Sequence, residues 1–251
     1  MPATPHPVFL PPPDESISAW RYMDFTKFVS MLANKGLYFA RSDLLGDPFE
    51  GSLPKSNTSI DVFPTIPPDF ADKEGLRESY NKALSQIRGF VRRFRPWVFT
   101  SSWHLSKHES AAMWKIYSRS EESVSIRTSF RKLQLLLPED VFLGCVQYID
   151  YDHDKVPIDN LLWPFIHKRR SFEYEQELRA IIADTPNALG DSKTEPPSGL
   201  WRNVDLRTLI DEVHIAPTAP NWFVELVGAT IIQFGFDFPV GRSKLDDSPL
   251  W

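Results

Sequence analysis

The densest run of potentially reactive side chains is His167-Lys168-Arg169-Arg170-Ser171-Phe172-Glu173-Tyr174-Glu175-Gln176-Glu177-Leu178-Arg179. Basic groups come first, then Glu175 and Glu177 at i, i+2, then Arg179 leading into Ala180-Ile181-Ile182. Side chains alternate between the two faces of a strand. A strand from Glu175 to Ile182 therefore puts Glu175, Glu177 and Arg179 on one face, and Gln176, Leu178 and Ala180 on the other. An arginine that runs into an apolar stretch is expected to be partly buried and to need a carboxylate partner. Two fixed acids can act as general acid and base, bind a metal, or accept hydrogen bonds from ribose hydroxyls. The plainer alternative is a ladder of ion pairs with Lys168, Arg169, Arg170 and Arg179, which counts for little at a surface.

Other segments carry weaker chemistry. Asp47-Pro48-Phe49-Glu50-Gly51 places two more acids in a tight turn, from which Asp47 and Glu50 could meet Arg179 or Lys168 across a cleft. Thr100-Ser101-Ser102-Trp103-His104 ends a strand in hydroxyls that could hold a polar ligand or cap the next helix. His104 and His108 stand i, i+4, a spacing that can hold a metal, but without a His-Glu-x-x-His pattern. Arg88 to Arg95 interleaves basic residues with Phe90 and Phe94, which fits a solvated helix face better than a nucleic-acid patch. Ala216 to Asn221 joins a strand to a helix without the glycines of a phosphate loop. A serine hydrolase is not expected, because the glycine-flanked nucleophile elbow is missing.

The elements that must position these groups follow from hydrophobic period and punctuation. Asp24 caps a helix with Phe25, Phe28, Val29 and Leu32 on one face, ended by Gly36. Leu37 to Ala40 is a short strand, and Arg41 to Gly51 a loop that continues through 52–70. Asp72 to Phe94 is a helix, Trp97 to Ser102 a strand. Ser106-Lys107-His108-Glu109 is a capping box for a helix holding Ala112, Met113, Ile116 and Tyr117. Val124 to Phe130 and Gly144 to Tyr151 read as strands, and Thr185 to Gly199 as loop. Asp205 caps a short helix, Val213 to Ala216 is a strand, Trp222 to Ala229 a helix, and Thr230 to Phe234 a last strand. The expected fold is α+β, a single mixed β-sheet with flanking helices, over residues 15–240. Residues 1–14 hold six prolines and read as a disordered or extended arm, and 241–251 as a tail.

Composition bounds the rest. The chain has 251 residues, 42% of them hydrophobic and 13% aromatic, enough for a substantial core. A net charge of -5 argues against general binding to nucleic acid or a membrane surface. The single cysteine, Cys145, lies in an apolar run and reads as an inert core thiol. With no leader-like start and no long apolar run, a cytoplasmic protein is expected.

Four separated motifs occur in order: Trp20-Arg21-Tyr22, then Leu37-Tyr38-Phe39-Ala40 running on to Asp47-Pro48-Phe49-Glu50-Gly51, then Ser110 to Tyr117, then Lys168 to Arg179. In this the chain resembles an uncharacterised bacterial domain-of-unknown-function family. More remotely, Arg21, Thr100-Ser101-Ser102 and Glu175-Gln176-Glu177 resemble the ordered motifs of Arg-Ser-Glu ADP-ribosyltransferases. That resemblance implies NAD as co-substrate, Arg21 on its phosphates, Ser101 supporting the nicotinamide pocket, and Glu177 on the ribose, stabilising the oxocarbenium ion. Lys168, Arg179, Asp47 and Glu50 would complete the cofactor-binding wall, and Glu175 would join Glu177 in catalysis. The chain departs from the pattern in its serine-for-threonine shift, its long Ser-to-Glu gap and the roughly 70 residues after Glu177. Three functions follow as expectations: an NAD-consuming transferase or glycohydrolase, with a protein acceptor in the first case; a nucleotide-binding module of a stress or phage-defence system; and a metal-dependent phosphodiesterase built on Asp47, Glu50, Glu175 and Glu177. The first needs no metal.

Overall fold

A computed structural model describes residues 3–58, 73–118, 120–190, 194–247 and 249. Residues 1–2 of the expected arm, the expected loop at 59–70, Asp72 of the expected helix, residues 191–193 of the expected loop and residues 248, 250 and 251 of the expected tail lie outside these. In chain order the strands and helices are β1 (Ser18–Asp24), α1 (Phe25–Asn34), β2 (Gly36–Arg41), α2 (Lys73–Phe94), β3 (Val98–Leu105), α3 (Ala111–Tyr117), β4 (Ser123–Ser129), α4 (Phe130–Leu136), β5 (Phe142–Cys145), β6 (Gln147–Ile149), α5 (Trp163–Ile166), β7 (His167–Arg169), β8 (Glu177–Ala183), α6 (Thr185–Leu189), β9 (Gly199–Asn203), α7 (Leu206–Leu209), β10 (Glu212–Ile215), α8 (Asn221–Gln233) and β11 (Val240–Arg242).

Among the described residues nine strands form one mixed sheet, with helices packed against it, as the α+β reading anticipated. Its path runs β11-β10-β4-β1-β3-β2-β9, with β8 on the other edge of β3 and β5 outside β8. Only β10 and β11 pair in parallel within it. The larger core includes Leu178, Ala180 and Ile182 of β8, packed with Phe28, Phe99 and Phe223. A second core, with Ile181, Val98, Phe94 and Phe165, fills the opposite face.

β3 is the pivot. β8 pairs along it from Val98↔Ala183 to His104↔Glu177. On the other edge β1 pairs only at Trp20↔His104 and Ala19↔Leu105, and β2 only at Ala40↔Thr100 and Arg41↔Phe99. Ser101 to Trp103 therefore have no ladder partner on that edge. The direction of the main chain here follows from Leu105, whose N–H donates to the Gln176 carbonyl (3.0 Å) on the β8 side. Antiparallel residues alternate the edge to which N–H and C=O point, so the Ser102 pair points into the fork between β1 and β2.

Several local expectations are corrected. The helix of residues 25–34 ends on Lys35 in a left-handed conformation (φ 48°), not on Gly36. Gly36 is needed elsewhere, since a Cβ there would stand 2.3 Å from the Arg202 carbonyl oxygen of β9. The capping residue of α3 is Ser110, which accepts from Met113 N (3.3 Å). Glu109 instead accepts from Trp114 Nε1 (3.0 Å) and the Ser243 hydroxyl (2.6 Å). Thr230 to Phe234 is not a strand. Phe223, Val227 and Ile231 are buried at i, i+4, i+8, so α8 carries the helical period through the β-branched run to Gln233.

The arm and the tail also differ from expectation. Ala3, Val8 and Phe9 are buried. Ala3 N donates to Gln134 O (3.0 Å), and Cys145 N donates to Leu10 O (2.8 Å). Gly144 allows this, because a Cβ there would lie 2.6 Å from the Phe9 Cα. The proline-rich segment thus straps β5: its prolines keep it extended and Phe9 supplies the anchor. At the other end, β11 and the turn Lys244–Asp246 join the domain, with Ser243 bonded to Glu109.

Candidate functional site

The fork in the sheet opens into a cleft of about 780 Å³, lined by β1, β2, β3, the start of β8, Tyr117, Trp201 and the 45–50 loop. Of the residues singled out by sequence, Arg21, Asp47, Glu50, Lys168, Glu175, Glu177 and Arg179 line it. Ser101 does not. Its register partner is Ala180, on the apolar face, and its buried hydroxyl has no hydrogen-bond partner among the described residues. Ser102, in register with Arg179, takes its place on the cleft wall.

The acid pair is built differently from a continuous strand. Residues Arg170–Glu175 form a 3-10 turn, and Gln176 turns the chain with a positive φ of 40°. Glu177 and Arg179 share a face of β8, while Glu175 reaches the same cleft from the turn. Lys168, on β7, bridges them, donating to Glu175 Oε2 (2.5 Å) and Glu177 Oε2 (3.3 Å).

Arg179 is only 1% exposed and is saturated. Its Nε donates to Glu177 Oε1 (2.8 Å) and its Nη2 to Glu177 Oε2 (3.0 Å) and Glu50 Oε2 (2.9 Å). Its Nη1 donates to Glu50 Oε1 and to the Phe165 carbonyl (2.6 Å). All five guanidinium protons are thus matched to acceptors. The expectation that Arg179 binds a ligand directly is corrected: it organises the floor. Glu50 is spent in the same way, and Asp47 is matched by Arg169 Nη2 (2.9 Å) while accepting from Phe49 N (3.0 Å). The turn that delivers Glu50 depends on Gly51, whose φ of +65° is left-handed and whose Cβ would meet the Phe165 ring at 2.4 Å.

Electrostatics follow from this arrangement. Burial alone would raise the Glu177 carboxyl, but Arg179, Lys168 and the Ser102 hydroxyl bring it down to about 2, so it is held ionised. Burial dominates at Glu175, whose carboxyl is raised despite Lys168. Burial and then the two carboxylates push the Tyr117 hydroxyl well up, and that hydroxyl donates to Glu175 Oε1 (3.4 Å). Burial lowers the His104 ring below the usual histidine range, with Nδ1 2.6 Å from the Glu175 carbonyl. Across the fork, Arg21 is brought down to about 10 by burial. Its Nη2 donates to the Tyr38 carbonyl (3.1 Å) and its guanidinium lies 5.6 Å from the Trp103 ring, but among the described residues no carboxylate pairs with it.

Aromatic walls complete the cleft: Trp20, Tyr22, Tyr38, Trp103, Phe172 and Trp201. Sequence reasoning offered Ser102 and Trp103 only within the run Thr100 to His104, and gave no role to the other aromatics or to Tyr117. The motifs Trp20-Arg21-Tyr22 and Ser110 to Tyr117 were the available signal, since exposed or cleft-facing aromatics sit inside both. Among the described residues no group of three His, Cys, Asp or Glu side chains is placed to hold a metal. Asp47, Glu50, Glu175 and Glu177 do gather, but each already faces an arginine or lysine. His104 and His108 do not share a helix, because His104 belongs to β3 and α3 begins later. Cys145 is half-buried with its thiol pushed up to about 11, in keeping with an inert thiol. No helix among the described residues is long and apolar enough to cross a membrane. No protein-family model, curated protein or solved structure matches this chain, so the reading of the cleft rests on its own residues.

Proposed function

We propose that the chain is an NAD-consuming enzyme, a glycohydrolase or ADP-ribosyltransferase. The observation that carries the reading is that Arg21, Ser102 and an ionised Glu177 line one aromatic-walled cleft large enough for a nucleotide. Arg21, a half-buried cation with no carboxylate partner among the described residues, would take a phosphate of the dinucleotide. The flat walls offered by Trp103, Tyr38 and Trp201 suit a base or a nicotinamide ring.

In the reaction the bond between ribose C1′ and the nicotinamide nitrogen breaks, and its electron pair leaves with nicotinamide. Positive charge develops on the ribose C1′ and ring oxygen. Glu177 would stabilise that cation, and its fixed bonds to Arg179 and Lys168 mean that it need not reorganise as the charge appears. Water, or a nucleophilic side chain of an acceptor protein, then attacks C1′ and gives up a proton. Glu175, raised by burial, is placed beside Glu177 to accept it.

Purified protein incubated with NAD should release nicotinamide, and Glu177→Gln should abolish release. No release by the wild type, with or without candidate acceptors, overturns the reading. A second reading, a nucleotide-binding module without turnover, is favoured by one observation: both Glu177 oxygens are already engaged. Saturable NAD binding without nicotinamide release would select it.

A further inference from the structure

The cleft is electrically lopsided. At the β7–β8 end three carboxylates, Glu50, Glu175 and Glu177, share two cations, Lys168 and Arg179, so the network has one negative charge in excess. At the fork, Arg21 is a cation with no carboxylate partner among the described residues. The neighbouring cations do not correct this, because Arg169 is matched by Asp47 and Lys27 by Asp24. Trp20 on β1 and Glu177 on β8 both pair with His104 of β3, so their backbones stand roughly 10 Å apart, two strand spacings, and Arg21 follows Trp20 where β1 leaves the ladder. Burial of an unbalanced charge is costly unless something opposite in sign meets it. Burial raises the Glu175 carboxyl at this end, in the direction that an excess of acid there would also push it.

We infer that the cleft selects a dipolar ligand, an N-glycosylated pyridinium with attached phosphate, holding the ring cation at the Glu175–Glu177 end and the phosphate at Arg21. Two further features suit a delocalised cation at the acidic end. Tyr117 and Phe172 present rings there, and Lys168 already lies 4.7 Å from the Phe172 ring. A soft aromatic cation interacts with such rings while facing carboxylates that lack a counter-charge. The inference deepens the NAD reading and rests on it for the choice of ligand, but it concerns binding rather than turnover.

NAD⁺ and NADH share their carboxamide, riboses and phosphates and differ in the charge of the nicotinamide ring. Calorimetric titration of the full chain with each should show NAD⁺ tighter by about tenfold or more. The 1-methylnicotinamide cation should bind where neutral nicotinamide at the same concentration does not. Glu175→Gln removes the excess charge and should bring the NAD⁺ to NADH ratio towards one. Arg21→Gln should weaken both by a similar factor. NADH binding as tightly as NAD⁺, or failure of all these probes to bind, overturns the inference. Nicotinamide release is measured separately: release without the binding preference keeps the enzyme reading and discards the inference, and the preference without release does the reverse.

Discussion

Removing the Glu50 side chain should be among the most damaging single changes in the protein. Glu50 is 4% exposed, and both its oxygens accept from Arg179, which is 1% exposed. In Glu50→Ala the Nη1 and Nη2 groups of Arg179 keep only Phe165 O and Glu177, and a buried guanidinium faces a hole. Breaking one partner of a buried pair costs about 3–5 kcal/mol, because the remaining charge is left without compensation. For a chain of this size that corresponds to a fall in melting temperature of roughly 6–20 °C. The comparison is Asp237→Ala, which deletes an acid from the Arg207–Asp237 pair (3.1 Å), whose aspartate side chain is 87% exposed. That change should stay within about 0.5 kcal/mol. Replacing both members, as Glu50→Ala with Arg179→Met, should recover part of the loss, since no charge is then stranded. Urea denaturation followed by intrinsic tryptophan fluorescence reads all four proteins. A Glu50→Ala midpoint within about 1 kcal/mol of wild type would refute the reasoning, since Arg179 would then have an alternative partner or access to water.

Three other outcomes are expected. Glu177 is held at about 2 in the folded state against an ordinary 4.5, so its contribution, roughly 3 kcal/mol, is present above about pH 4.5 and is lost as pH falls towards 2. Melting temperature should fall over that window in the wild type and fall less steeply in Glu177→Gln; equal slopes would count against the assignment. Gly51→Ala forces a methyl onto the Phe165 ring at a left-handed position, and a loss of about 1–3 kcal/mol in urea denaturation is expected, whereas an unchanged midpoint would mean that the turn is free to rearrange. Phe9→Ala should cost about 3–5 kcal/mol and open the arm to limited proteolysis before Ser16, and resistance equal to wild type would show that the strap does not depend on this ring.

What the sequence disclosed follows a physical pattern. Long periodic segments such as residues 73–94, and the apolar run after Arg179, were legible because one period dominates each. The partnership of Arg179 with a carboxylate could be anticipated, since a guanidinium entering Ala180-Ile181-Ile182 has no other inexpensive solution. β1 was not recognised as a strand, because Arg21 interrupts its apolar pattern, and that arginine is tolerable only because β2 and β1 part around it. Parity decided the serine. Ser101 and Ser102 are chemically alike, and only the register Ser102↔Arg179 fixes which one faces the cleft, so a single-residue shift exchanges them. β9, within a polar segment, needed Gly199 and Gly36 to approach β2, a long-range fit that local pattern does not carry. Composition leaves the arm disordered or extended: prolines signal an extended chain, but Phe9 decides whether it is free.

The same ion network bears on both readings of the cleft. A carboxylate that accepts from Arg179 and Lys168 resembles a structural group, and an ordinary surface acid would be better placed to meet a ligand. Yet a catalytic carboxylate facing a transient cation benefits from being held in place, with its dipoles fixed by folding rather than rearranged during the reaction. The difference lies in what can be exchanged. The bonds from Arg179 and Lys168 belong to the buried floor, whereas Ser102, which shares the cleft wall with Glu177, lies on β3 where that strand pairs with neither β1 nor β2. A ribose hydroxyl can approach Glu177 from the Ser102 side of the cleft without disturbing either cation. Ser102→Ala should then leave the fold intact and NAD affinity within a few-fold of wild type, while Glu177→Gln disrupts the floor and removes turnover. If Ser102→Ala instead unfolds the protein as Glu50→Ala is expected to do, Ser102 is part of the floor, Glu177 has no exchangeable site, and the non-catalytic reading prevails.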